Sequence, residues 1–366
     1  MMKRAGLVLL ALILALVPVS CSKNAESVVN NDISDAENIG SNLPDDANAG
    51  STDANPDLSE DDKKNDTDSE ETEQFIFPAK GIRPYAVMID NQGEKCLPQG
   101  GLSKAQIIYE IIVEGGLTRL MPLFWGVNPE MIGPVRSSRH YFLDYAMEHD
   151  AIYVHFGWSI LALNDLKKFK INNIDGYTNA GSVFWDLTKD KSNWQDTYTS
   201  MENLDKFAKN KDYRTDSEKE PVFEYNQAAT VPEKGSKAEK INIKYSTAYF
   251  CSYEYDSQTQ KYLRFKEGKP QTERASGEQL AASNIIIQHV KNYTIKGDDA
   301  GRQQLETVGS GKGYYITSGK CEEIKWSKSS RTSQTKYTYQ DGSIVKLNPG
   351  QTWIQIVPLG AKIEIE

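Results

Sequence analysis

The amino-acid composition changes at residue 74, and this break decides which part of the chain can form a hydrophobic core. Residues 22–74 contain sixteen Asp and Glu against three Lys, and they have no aromatic residue. Such a segment buries too little apolar surface to offset the entropy cost of ordering it. We therefore predict a disordered acidic tether over 22–74 that acts as a solvated spacer, with binding of cations or basic partners as the alternative.

The first 21 residues have the pattern of a secretory signal. Lys3 and Arg4 precede an unbroken apolar run from Leu7 to Val17, and the small Ser20 stands before Cys21. A signal that ends on a cysteine is typical of bacterial lipoproteins. The sequence thus predicts a Cys21 that carries diacylglyceryl and palmitate groups, on an extracytoplasmic protein held at the outer face of the cell membrane. An ordinary signal peptide with an incidental Cys21 is the alternative.

Charge and cysteine content argue against several classes of protein. Residues 75–366 carry a formal net charge of only +2, so the acidic character belongs to the tether. No concentrated basic surface for nucleic acid is expected. Cys96, Cys251 and Cys321 are far apart and no histidine stands at zinc-ligand spacing, so we predict no metal site and no cofactor. A Cys251–Cys321 disulfide and buried unpaired thiols both remain open.

The length of the remaining chain predicts two domains. We place their boundary near Gly235, late in a polar stretch over 206–240. The order strand, hairpin, helix, strand, helix over 75–235 predicts a mixed α/β domain. Strand-like alternation over 236–366 predicts a mostly antiparallel β domain. The predicted fold class is therefore α+β.

A buried hairpin is predicted over 106–126. Its first strand is apolar on both faces except for Glu110 and Glu114, which is typical of a central strand. Two glycines follow Glu114, and a two-residue turn closed on them pairs Ile112 with Arg119. Strand alternation then places both carboxylates on one face with Arg119. We expect an ion pair there, either as a structural pair that fixes the register or as part of a ligand-facing cluster.

A helix is predicted from about Ser138 to His149, with Ser137 as its N-cap. The spacing of its apolar residues places Arg139 on the buried side. The solvent-exposed stripe of this helix is predicted to consist of His140, Asp144 and Glu148.

The start of this helix is the most specific chemical feature of the sequence. Helix N-termini favour anions through their free N–H groups, and Arg136, Ser137 and Arg139 would add charged and neutral donors. This arrangement predicts a site for a carboxylate, phosphate or sulfate group. The alternative is that Arg139 pairs internally with Glu110 or Asp90.

Two further residues lie at predicted strand ends. His155 ends the strand over 151–156, and Asp90 ends the apolar run from Tyr85. Open α/β sheets bind their ligands at the carboxyl ends of strands. We predict that His155 and Asp90 help to shape the anion site, with a hydrogen-bonded structural histidine as the alternative.

These motifs resemble those of the YerB-like lipoproteins of Gram-positive bacteria. The stretches that carry the resemblance are 98–102, 109–119, 133–139, 151–159 and 342–354. The resemblance implies a membrane-anchored protein of two adjoining domains without an established activity. The family patterns Pro-His-Asn and His-x-Asp would fall at Trp194-Gln195-Asp196 and Gln271-Thr272-Glu273, where this chain has no histidine. If those histidines have a catalytic role in relatives, this chain lacks that role.

The leading hypothesis is a surface lipoprotein that binds an anionic cell-envelope ligand, either a glycan or a peptide fragment. The residues expected to form the site are Arg119, Arg136, Ser137, Arg139, Glu110, Glu114, Asp90 and His155. One alternative is a cell-wall hydrolase or transferase that uses Glu110 and Glu114 as acid and base. Another is a protein-interaction scaffold that presents the tyrosine-rich β domain to a partner.

Overall fold

Strands of both halves of the chain form the framework, and the helices are few and short. The computed structural model describes residues 74–179, 181–190 and 192–366, so the predicted signal peptide, Cys21 and the tether up to residue 73 lie outside the described residues. The elements of the first half are β1 (Tyr85–Val87), β2 (Ile89–Asp90), β3 (Ile107–Ile112), β4 (Thr118–Phe124), α1 (His140–Glu148), β5 (Ile152–His155), α2 (Ile160–Lys168), β6 (Asn173–Asp175), α3 (Gly176–Asn179), β7 (Trp185–Asp186), β8 (Thr197–Tyr198), α4 (Met201–Asn210) and β9 (Glu224–Tyr225).

The second half is built of strands. They are β10 (Ser236–Lys237), β11 (Lys240–Lys244), β12 (Phe250–Asp256), β13 (Lys261–Lys266), β14 (Lys269–Pro270), β15 (Ala281–Ala282), β16 (Asn284–Val290), β17 (Asn292–Thr294), β18 (Gln303–Leu305), β19 (Gly309–Thr317), β20 (Lys320–Lys328), β21 (Lys336–Tyr339), β22 (Lys346–Leu347), β23 (Thr352–Pro358) and β24 (Lys362–Ile365). A mixed sheet in the first half and mostly antiparallel pairing in the second, where only β16 and β23 pair in parallel among the described strands, agree with an α+β fold of low helix content.

The larger sheet has twelve strands and extends across both halves. Its order is β10-β20-β19-β16-β23-β3-β4-β1-β5-β6, with β2 beside β4 and β21 beside β20. The halves meet where β23 runs parallel to β3, with Thr352 opposite Ile107 and Ile356 opposite Ile111. The predicted boundary near Gly235 falls between β9 and β10. It stays a prediction, and the hydrogen-bonded sheet continues across it.

The smaller sheet has six antiparallel strands in the order β14-β13-β12-β11-β24, with β15 beside β13. Burial alternates along β11, where Ile241 and Ile243 are buried between exposed neighbours. The buried side of this sheet contacts the larger sheet, as shown by the ring of Tyr253, which packs 6.3 Å from that of Trp353. The two sheets therefore enclose a common core between them.

The hairpin register differs by one residue from the predicted one. Arg119 lies opposite Ile111, and Ile112 lies opposite Thr118. The cause is the turn, which includes Glu114 as well as the two glycines in a single 3-10 turn. Because side chains alternate along a strand, this shift places Glu110 and Arg119 on opposite faces of the sheet. The predicted common face is wrong for Glu110.

Helix α1 is shorter than predicted, and Ser137 is not its N-cap. Arg139 occupies that position and makes no side-chain capping bond. The predicted exposed stripe is also wrong, because His140, Asp144 and Glu148 are all buried. Side chains of the second half cover this face of α1. The contacts that bury it are Gln304 on His140, Thr307 and Arg331 on Asp144, and Lys328 and Thr335 on Glu148.

The cysteines of the described residues are all unpaired. Cys96, Cys251 and Cys321 are each buried as free thiols. A Cys251–Cys321 disulfide is therefore not formed.

Candidate functional site

The parallel strands of the first half end together at one edge of the larger sheet. β1 is parallel to β5, and β5 is parallel to β6. β3 runs the same way, since both β3 and β1 are antiparallel to β4. The segment before α1 is fixed at this edge because Arg136 N donates to Met88 O (2.9 Å) and Ser138 N donates to Gly157 O (3.0 Å). Such edges are the usual ligand sites of α/β sheets.

Five charged side chains gather at this edge, and we call them the arginine cluster. The cluster consists of Asp90, Glu114, Arg119, Arg136 and Arg139, linked by ion pairs and close charge contacts. Three guanidinium groups face two carboxylates, so the cluster has one positive charge in excess. Sequence analysis predicted each of these residues as part of the site.

Arg139 is engaged by a carboxylate. Its Nε lies 2.6 Å from Glu114 Oε1 and its Nη2 lies 2.9 Å from Glu114 Oε2, which is the bidentate geometry of a strong ion pair. Burial alone would raise the pKa of Glu114, but the Arg139 guanidinium outweighs burial and holds that pKa below its usual range. Internal pairing of Arg139 was predicted as the alternative, although with a different acid. Arg139 therefore holds the site together and is not free to hold a ligand.

Arg136 is only partly satisfied. Its Nε lies 3.2 Å from Asp90 Oδ2, yet this buried atom donates no hydrogen bond within the described residues. The guanidinium carbon lies 4.1 Å from the ring centre of Trp194, and the side chain is 17% exposed. Gln195 Nε2 donates to the same Asp90 oxygen (2.9 Å) and competes for it. Arg136 thus retains donor capacity at a position that solvent reaches.

Arg119 is the most unusual member of the cluster. It is 5% exposed, and its Nη1 donates one hydrogen bond to the Ser137 carbonyl (2.8 Å). Among the described residues it forms no ion pair with any carboxylate. Burial, together with the neighbouring Arg139 and Arg136 charges, lowers the pKa of Arg119 to about 9 although Glu114 and Asp90 oppose the change. A buried guanidinium without a counter-ion is costly, because its desolvation is not offset by an opposite charge.

Glu110 lies outside the cluster, in the core between the two sheets. It is fully buried, accepts a hydrogen bond from Thr118 Oγ1 (2.8 Å), and pairs with Arg264, whose Nη2 is 2.6 Å away. The Arg264 guanidinium is itself fully buried against aromatic rings, with Trp353 4.5 Å from its carbon. Glu110 and Glu114 are therefore separated and each is held by its own arginine, which is not the arrangement of a paired acid and base.

His155 is a buried, hydrogen-bonded residue. Its Nδ1 lies 2.9 Å from Gly157 O, and its Nε2 lies 3.1 Å from Asn173 Oδ1. Burial lowers the pKa of His155, so the ring is held in its neutral form. None of these hydrogen bonds reaches the arginine cluster. The geometry matches the structural alternative for this residue rather than a role in shaping the anion site.

Two residues that lie at the site were not predicted from the sequence. Trp194 and Gln195 lie between β7 and β8, and Trp194 is 44% exposed although it is a large aromatic residue. Sequence analysis noted this stretch only as a departure from a histidine pattern. Gln271, at the other departure, is buried and bridges Gln99 and Arg264. An exposed tryptophan cannot be distinguished from a buried one by local sequence alone.

The helices give no sign of a membrane span. Among the described residues, every helix is too short or too polar to cross a lipid bilayer.

Comparison with known proteins identifies the family. Two consecutive family models, described as the N-terminal and C-terminal domains of a protein of unknown function (DUF3048), match residues 74–214 and 241–354. The Bacillus subtilis (strain 168) protein named "Putative lipoprotein YerB" is 33% identical over 282 residues, which are 75% of this chain and 81% of the relative. The chain belongs to the YerB-like lipoprotein family. The crystal structure of the B. subtilis YerB protein agrees with this, since it matches with a TM-score of 0.68 at 32% identity and covers 78% of this chain and 94% of that one.

Family membership supports a lipoprotein nature for this chain. The resemblance to YerB-like lipoproteins seen in the sequence is thereby confirmed. Both matched domains are described as having unknown function, so the family itself assigns no ligand and no chemistry to the arginine cluster.

Proposed function

We propose that this chain is a membrane-anchored lipoprotein whose arginine cluster binds an anionic ligand of the cell envelope. The observation that carries the proposal is the buried Arg119 guanidinium, which forms no ion pair with a described carboxylate and is attracted by Glu114 and Asp90 only from beyond ion-pair distance. Removing one partner of a buried ion pair typically costs about 3–5 kcal/mol, and Arg119 stands in that unpaired condition in the free protein. An anion beside it would supply the missing charge.

The surroundings of Arg119 favour an anion further. Arg136 has a buried Nε without a hydrogen bond and lies on the solvent side of the cluster. α1 starts with no side-chain cap, so the N–H groups of its first turn are not satisfied by a capping side chain. Charge-assisted hydrogen bonds from two guanidinium groups would hold one carboxylate, phosphate or sulfate group.

The proposed location follows from the first part of the chain. Lipid on Cys21 would fix the protein to the outer face of the membrane. A random-coil chain as long as the predicted tether over 22–74 would have a typical span of roughly 40 Å, and repulsion between its acidic residues would extend it. The binding site would then sample the envelope at that distance from the bilayer.

The proposal is tested by titrating the full chain, in detergent, with acetate, sulfate and phosphate while NMR chemical shifts are recorded. At least one of these anions is expected to bind the wild type. Arg119→Gln should weaken that binding roughly tenfold or more, because a hydrogen bond to a charged group contributes about 1.5–3 kcal/mol.

A matched control is Arg302→Gln. Arg302 is paired with Asp298 on a hairpin of the second half, so its loss removes a positive charge without changing the cluster. Equal anion affinities for the wild type and Arg119→Gln, with Arg302→Gln also unchanged, would refute the proposed site.

A further inference from the structure

An exposed aromatic ring lies directly on the anion site. The Trp194 ring centre is 4.1 Å from the guanidinium carbon of Arg136, and the side chain is 44% exposed. One face of the indole therefore covers a donor of the arginine cluster, while much of the ring remains in contact with water. A tryptophan combines a large apolar face with one N–H donor, and this residue type is enriched at binding interfaces.

The net charge of the arginine cluster limits the number of negative charges that its ligand can carry. Asp90 and Glu114 already offset two of the three guanidinium groups. One further negative charge would neutralise the cluster, whereas a dianion would leave an excess negative charge near both carboxylates. A singly charged group such as a carboxylate therefore fits the cluster better than a dianion.

We infer that the ligand is a sugar residue that bears one carboxylate, with the carboxylate held by Arg119 and Arg136 and the apolar face of the sugar ring packed on Trp194. This inference rests on the proposed anion-binding function. The Arg136 guanidinium covers one face of the indole, so the sugar would pack on the exposed part of the ring beside the cluster, and the charged and flat parts of the ligand must be close together. In a uronic acid the carboxylate is attached directly to a rigid ring, which meets this requirement without ordering a flexible chain.

The test uses four probes that separate the two parts of the ligand. Galacturonic acid has both the ring and the carboxylate, galactose has the ring alone, acetate has the carboxylate alone, and N-acetylalanine has the carboxylate on a peptide-like unit. Each is titrated against the full chain in detergent, and the indole N–H signals are followed by NMR. Galacturonic acid is expected to bind roughly tenfold more tightly than acetate or N-acetylalanine, and galactose should bind most weakly.

Trp194→Ala identifies the source of that preference. It should bring galacturonic acid close to the affinity of acetate while acetate itself changes by less than about twofold. Tyr293→Ala is the matched control, since Tyr293 is 50% exposed on β17 and has no contact with the cluster. It should leave all four affinities unchanged.

The outcomes separate this inference from the function on which it rests. Equal affinities for galacturonic acid, acetate and N-acetylalanine would overturn the sugar assignment and leave anion binding intact. A preference for galacturonic acid that survives Trp194→Ala would overturn the role of the indole. Tighter binding of N-acetylalanine would favour a peptide carboxylate instead. No binding of any carboxylate would overturn the sugar assignment, and no binding of sulfate or phosphate either would overturn the proposed function as well.

Discussion

Replacing Arg119 with methionine should make the ligand-free protein more stable. A pKa of about 9, in place of an ordinary value above 12, corresponds to an unfavourable burial of the charged form on the order of 5 kcal/mol. Methionine keeps the unbranched apolar stem and removes the charge. The loss of the hydrogen bond to Ser137 O would subtract about 1 kcal/mol. We expect a net gain of about 1–4 kcal/mol, within the range found when buried ion pairs are replaced by apolar residues.

The matched perturbation is Arg139→Met, and its effect should have the opposite sign. This change leaves the Glu114 carboxylate without its bidentate partner, so we expect a loss of about 3 kcal/mol. The two substitutions would thus change the free energy of unfolding in opposite directions, because only one of the two arginines forms an ion pair with a carboxylate.

The assay is equilibrium unfolding in urea at pH 7, in a buffer free of carboxylate, phosphate and sulfate. Urea is preferred because guanidinium chloride would add an anion and a competing cation. The free energies of unfolding of the two variants are compared with that of the wild type. If Arg119→Met is destabilised as much as Arg139→Met, the Arg119 guanidinium is satisfied within the protein and the argument for a missing anion fails.

Three further predictions concern other parts of the fold. Glu110→Gln should lower the free energy of unfolding by about 3–5 kcal/mol, because it leaves the fully buried Arg264 charge unpaired, and a loss below about 1 kcal/mol in urea unfolding would contradict this. Burial lowers the pKa of His149 to about 4, so the unfolded chain binds a proton that the folded chain does not. Its contribution is present above about pH 6.5 and is lost as pH falls to about 4, so His149→Gln should flatten that part of the stability profile. Gly116→Ala should lower the melting temperature more than Gly115→Ala, since both have positive φ but only at Gly116 would the new Cβ lie 2.6 Å from a side-chain oxygen. Equal losses would show that the neighbouring side chain moves away.

Local sequence patterns located many elements correctly. The hairpin over 106–126, the helix from about Ser138 to His149 and the strand over 151–156 were each predicted to within about two residues of the bounds that the structure shows. Helical periodicity and strand alternation are properties of neighbouring residues, so they can be recognised without knowledge of the rest of the fold. The edge of the larger sheet where the parallel strands end was located in the same way, since the ends of strands follow from their positions in the sequence.

Charged side chains were harder to place because their partners are distant in sequence. Glu110 was expected to pair with Arg119 in its own hairpin, but its partner is Arg264, which belongs to the other sheet. His140, Asp144 and Glu148 were expected to face water because they alternate with apolar residues on α1. Their burial depends on residues more than 150 positions later, which no local period can indicate.

The residues that one turn includes determine where both carboxylates of the hairpin lie. Inclusion of Glu114 in the turn moved Glu110 into the core and left Glu114 beside Arg139. Sequence analysis named all the members of the arginine cluster but assigned the wrong pairs to them. As a result the sequence could not show that Arg119 is the guanidinium that forms no ion pair with a described carboxylate, or that Trp194 packs on Arg136.

The insertion of β23 between β16 and β3 affects the order in which the protein can be assembled. Residues 352–358 are near the end of the chain, yet they supply the strand that hydrogen-bonds to β3 from the first half. A chain emerging N-terminus first must therefore hold the apolar edge of β3 open until almost its whole length is available. Premature termination before residue 352 would leave both halves with an uncovered strand, so even a short C-terminal deletion should produce an aggregating product rather than a smaller folded one.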